Sequence, residues 1–118
     1  PEAEAWVLPN GRVRPAPGLF VAQLVGESMN RRIPNGAFCL FRSPVEGSRT
    51  GRVLLVEHRE ISDPEHGGSY TVKVYERVSP EQIALRPDSD TAGFESIELN
   101  ASDGDVRVLA ELVEVLGT

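Results

Sequence analysis

The chain reads as mostly all-β, built of curled antiparallel sheets, on three observations. Its apolar runs are short, turn-forming residues separate them at frequent intervals, and 11 Gly and 9 Pro are spread over 118 residues. That is the pattern of strands joined by tight turns; a helix-rich chain would carry long stretches with apolar residues three and four positions apart. The folded domain is expected over 19–118. Residues 1–18 read as an extended N-terminal arm, because prolines fall at positions 9, 15 and 17. A chain of this length can bury a core without disulfides, and no repeat or second domain is visible.

The elements follow in order. Residues 19–25 (LFVAQLV) form an apolar run with β-branched content, which Gly26 breaks. Residues 28–33 leave room for one or two helical turns, so one short helical turn is expected after Ser28. Pro34-Asn35-Gly36 forces a turn, since Pro and Gly supply the special backbone angles. A short strand over 37–42 precedes a loop over 43–51 rich in Ser, Pro and Gly. Residues 52–58 (RVLLVEH) make a strong strand, 62–68 (SDPEHGG) a polar hairpin loop, and 69–77 (SYTVKVYER) the next strand. After Ser79-Pro80, two shorter strands are expected at 82–86 and 97–99. The last run, 106–116, is too continuously apolar for a strand with one wet face and should be at least partly covered.

Composition excludes several function classes. A net charge of -6 argues against this domain gripping a phosphate backbone, which favours clustered Lys and Arg, so no direct nucleic-acid binding is expected. The nearest approach to a basic cluster is Arg31-Arg32. Cys39 is the sole cysteine, so no intrachain disulfide forms, and a reducing, cytoplasmic setting is the simpler one. Within A-F-C-L-F it should behave as a small buried hydrophobe, lacking the polar neighbours that stabilise a thiolate. No apolar stretch approaches the ~20 residues of a membrane span, and no signal peptide is visible, so no membrane partner is expected. A first residue of Pro rather than Met suggests a fragment or a processed product. Two lone histidines and one cysteine at unrelated spacings make no metal-ligand set, and Gly67-Gly68 is a turn signal, not a phosphate loop. Neither metal nor cofactor is expected.

Two residues stand out as candidates for chemistry. In V-G-E-S-M-N, residues 25–30, Ser28 follows the end of an apolar run. Either it starts a helical turn as an N-cap, its oxygen accepting from a backbone N–H, or it is held at a strand end as a nucleophile. Lys73 lies mid-strand in Y-T-V-K-V-Y. Alternation puts Val72 and Val74 on one face and Thr71, Lys73 and Tyr75 on the other. If that face is wet, Lys73 is an edge-strand guard. If it is covered, burial disfavours the ammonium, and a neutral amine can take a proton from a serine hydroxyl. Bringing a lysine pKa from ~10.4 to near 7 requires about 4–5 kcal/mol of differential interaction. His58, ending a strong strand, and His66, in a glycine-flanked loop, are rival bases, although nothing marks a carboxylate to orient either one.

The order G-E-S-M-N-R-R-I-P-N-G, then a strand, then G-R-V-L-L-V-E, then Y-T-V-K-V resembles the LexA-like family of Ser-Lys peptidases, which includes the SOS repressor LexA, phage repressors and the UmuD mutagenesis proteins. The ending L-A-E-L-V-E-V-L-G is similar to that family's closing strand. The resemblance covers roughly residues 19–117. It implies a fold of the LexA and signal-peptidase type, with Ser28 as nucleophile and Lys73 as general base. The backbone N–H groups of Ser28 and Met29 would then be the oxyanion donors, with the Met29 side chain serving packing. It further implies self-cleavage that separates an upstream effector, often DNA-binding, and pairing of two copies through the β domain along the apolar C-terminal strand. A domain that keeps the fold and pairs without cleaving is the alternative. Three departures from the family pattern are visible. Residues 1–27 lack the usual Ala-Gly or Cys-Gly scissile bond, the only Ala-Gly being Ala92-Gly93. Ala37 stands where an acidic residue often follows the turn glycine, and the 62–68 loop is longer. The bond cut therefore was removed, lies beyond Pro1, differs in sequence or belongs to another molecule.

Overall fold

The computed structural model describes residues 6–7, 13–14, 18–58, 70–102, 104 and 106–117. Nine strands run in chain order: β1 (Trp6–Val7), β2 (Val13–Arg14), β3 (Gly18–Leu24), β4 (Ala37–Ser43), β5 (Val53–Glu57), β6 (Tyr70–Arg77), β7 (Gln82–Arg86), β8 (Ile97–Asn100) and β9 (Arg107–Gly117). Among the described residues there is no helix, and none therefore long and apolar enough to cross a membrane. β1 and β2 pair with each other, within the stretch expected to be an extended arm. The other seven form one open antiparallel sheet in the order β3-β4-β9-β5-β6-β7-β8. The all-β expectation holds. The 62–68 loop and His66 lie outside the described residues.

Period-two patterning explains the outer strands. In β3, Phe20, Ala22 and Leu24 point inward, and in β4 so do Ala37, Cys39 and Phe41. Pairing puts Phe20 opposite Phe41, where their rings stack with centroids 5.6 Å apart. The central strands are covered on both faces. In β5, Val53 and Leu55 join one apolar cluster with Phe20, Met29 and Phe41, whereas Leu54 and Val56 join a second with Tyr75, Ile83 and Leu85. Two covered faces are why R-V-L-L-V-E-H reads as a continuous apolar run.

The closing strand occupies the middle of the sheet. β9 pairs with β5 through Arg107 to Glu111 and with β4 through Glu111 to Gly117. Its register skips one residue in three places, leaving Leu109, Val113 and Leu116 unopposed, as at β-bulges. Each skip resets the alternation and turns an apolar residue toward the other face. Val113 and Leu116, two of these, are 40% and 50% exposed. The strand expected to be partly covered is therefore covered along part of its length, and its continuous apolarity comes from the resets.

Between β3 and β4 the chain must reverse. Gly26, at φ 127°, takes a conformation that side chains rarely adopt, and so ends the extended run. Residues after Ser28 make a single helical-type turn, with the Ile33 and Arg32 N–H groups both donating to Met29 O at 2.7 and 2.9 Å. It is not continued, because Pro34 follows and Gly36, at φ 87°, closes the turn into β4.

Candidate active site

The Ser28 turn is fixed by its own apolar side chains. Met29 and Ile33 are 1% and 0% exposed and sink into the first cluster, so Met29 does serve packing. The backbone adds two bonds to a distant segment: Asp88 N–H donates to Ser28 O at 2.9 Å, and Arg31 N–H donates to Asp88 O at 3.1 Å. The N–H groups that an N-cap at Ser28 would serve are those of Asn30 and Arg31. They donate to Glu27 O and Asp88 O.

Lys73 sits on β6, between β5 and β7. It is not an edge-strand guard. Its register partner is Leu54, that of Thr71 is Val56, and Tyr75 follows on the same face, all within or beside the second cluster. Lys73 is 3% exposed, Ser28 2% and Thr71 0%. Lys73 Nζ lies 3.1 Å from Ser28 Oγ, across 45 positions of sequence, and 2.6 Å from Thr71 Oγ1. Both partners are neutral hydroxyls. Burial by itself disfavours the charged form of an amine.

Thr71 is the site residue that sequence reasoning did not single out. The alternation in Y-T-V-K-V places it on the face of Lys73, but alternation says nothing about whether a lysine bends back along its own strand to meet it. His58, weighed as a rival base, directly follows β5 and is 1% exposed. Cys39 is fully buried in β4, and burial pushes its thiol up to about 11, the state of an inert core cysteine. Among the described residues no group of three or more His, Cys, Asp or Glu side chains could hold a metal ion. A groove of about 630 Å³ at the open end of the β3–β4 pair, bordered by Leu19, Arg42, Arg52 and Glu111, includes neither Ser28 nor Lys73.

Met29 O accepts twice within the turn, from the Arg32 and Ile33 N–H groups. In chemical terms the arrangement combines a hydroxyl and a buried amine at hydrogen-bond distance.

No curated protein matches this chain. A family model does, and it supports the resemblance drawn from the four motifs. The match runs over residues 2–113, nearly the whole chain, and on that ground the chain belongs to the family described as Peptidase S24-like.

Proposed function

We propose that this domain is a Ser-Lys endopeptidase that cuts a bond in its own polypeptide, in the manner of LexA-like regulators. The observation that carries the reading is the 3.1 Å contact between two almost fully buried side chains, Lys73 Nζ and Ser28 Oγ. Ser28 Oγ attacks the scissile carbonyl carbon while its proton passes to the neutral Nζ, leaving an ammonium and a tetrahedral oxyanion. The N–H groups of Ser28 and Met29 face that oxyanion. Collapse breaks the C–N bond, Nζ returns the proton to the leaving amine, and an acyl-serine remains. Water then hydrolyses the ester, its proton passing through the same amine. The step needs no metal or cofactor. On this reading the substrate is an upstream segment or domain, a DNA-binding repressor module being the type that fits a regulator, and the acidic peptidase domain itself leaves nucleic acid to that module. The setting is the cytoplasm.

The exposed Val113 and Leu116 favour a second property that is compatible with the first. Over Leu112 to Gly117, β9 is paired with β4 alone among the described strands, so this half of the strand has a side on which another copy can dock. We assign the homodimer contact to it. A purely pairing module without chemistry would need the same surface but would have no use for a desolvated lysine against a serine.

The test uses the chain as its gene encodes it, incubated alone at rising pH and followed by gel and mass analysis beside Ser28→Ala and Lys73→Ala. Concentration-independent cleavage that accelerates with pH and is lost in both variants is expected. A wild type that cleaves no faster than Ser28→Ala under every condition would leave only the pairing module.

A further inference from the structure

Asn30, two residues after Ser28, is engaged on both edges of its carboxamide. Its Nδ2 lies 3.0 Å from Glu27 Oε1, 2.8 Å from Asp90 Oδ1 and 3.2 Å from Thr91 Oγ1, and its Oδ1 accepts from the Asp90 N–H at 3.0 Å. Glu27 Oε2 accepts from Asn35 Nδ2 at 3.0 Å, and Asn35 Oδ1 accepts from the Gly26 N–H at 2.7 Å. The turn that carries Ser28 is thus stitched to the turn before β4 and to residues 88–91, some 60 positions later. That later segment leaves β7, which pairs with β6 through Arg86 and Val74, the neighbour of Lys73. The serine's turn is thereby anchored to the pair of strands that holds the lysine.

We propose that Asn30 is a positioning residue for Ser28 and Lys73: its amide locks the Ser28 turn to residues 88–91 and so holds Oγ within reach of Nζ. The inference rests on the dyad reading given above. An amide is the group the place requires. Its N–H hydrogens satisfy the carboxylates of Glu27 and Asp90 together, whereas a carboxylate at position 30 would meet both with no proton to share. Displacing a reacting group by about 1 Å can cost on the order of 100-fold in rate, so a latch remote from the bond being cut can matter kinetically.

The experiment measures first-order self-cleavage across pH for wild type, Asn30→Ala, Asn30→Asp and Asp90→Ala, with Ser28→Ala as blank and melting temperature recorded for each. Asn30→Ala should slow cleavage by about 10- to 100-fold. Asn30→Asp should be at least as slow, and Asp90→Ala intermediate. The midpoint of the rate–pH profile should move upward in all three, because a loosened turn admits water that favours the lysine's charged form. A merely structural asparagine would lower the melting temperature and leave both the rate and the midpoint of the folded protein unchanged, which would overturn the latch while the dyad stood. Wild type no faster than the Ser28→Ala blank would remove the dyad and the latch together. Asp90 is exposed, so Asp90→Ala decides the matter on its own where the Asn30 variants do not fold.

Discussion

Thr71→Val probes the electrostatics of the site most directly. The substitution keeps the shape of the side chain and its β-branching but removes the hydroxyl 2.6 Å from Lys73 Nζ, at a position with 0% exposure. Water has little access to replace the lost partner. A hydrogen bond to a charged group contributes about 1.5–3 kcal/mol, and each pKa unit corresponds to about 1.4 kcal/mol. If Lys73 donates to Thr71, the hydroxyl steadies the ammonium, and its loss should move the midpoint of the rate–pH profile down by about 1–2 units. The limiting rate at high pH should fall as well, because Nζ loses its 2.6 Å contact with Thr71, which helps hold it toward Ser28. The assay is self-cleavage at closely spaced pH values, with folding checked by circular dichroism at each. An unchanged midpoint would mean that Thr71 does not see the charge on Lys73. A midpoint that rises would mean that Thr71 donates to the neutral amine instead. Either result would refute the reasoning.

Two further expectations concern stability and assembly. The Cys39 thiol is raised from 9.0 to about 11 by burial, so the folded state holds its proton where the unfolded state releases it. Its contribution is complete below pH 9 and is lost as pH rises through about 11, by roughly 2–3 kcal/mol. Urea denaturation from pH 8 to 11 should show a steeper loss for wild type than for Cys39→Ala, and parallel curves would contradict that account. Val113→Glu combined with Leu116→Glu should shift sedimentation toward the monomer and leave cleavage within one chain intact. A dimer that persists in this double variant would place the contact elsewhere.

Much of the fold was legible from residue pattern because its causes are local. The apolar alternation in β3 and β4, the Gly26 break and the Pro34-Asn35-Gly36 turn depend on neighbours a few positions apart. The brevity of the turn after Ser28 was legible for the same reason, with Pro34 close behind it. What the pattern left open was the surroundings of Lys73. A lysine flanked by valines and tyrosines looks the same on an edge strand as on an inner strand. Its surroundings became visible only with the sheet order, which sets β5 and β7 on either side of β6 and the second apolar cluster over its face. The run at 106–116 was ambiguous for a related reason, since three register skips mix its two faces in a way that alternation does not encode.

The sequence by itself determined that this is an all-β domain, that its one cysteine is core, and that a serine at a strand end and a lysine inside a strand resemble a known pairing. Only the tertiary structure decided that these two side chains meet at 3.1 Å, that Thr71 joins them, and that Asn30 ties the turn of Ser28 to the segment that follows β7. The division follows from the physics. Backbone angles and strand alternation are set by adjacent residues, whereas desolvation of an amine depends on everything packed around it, here including a segment 45 positions away.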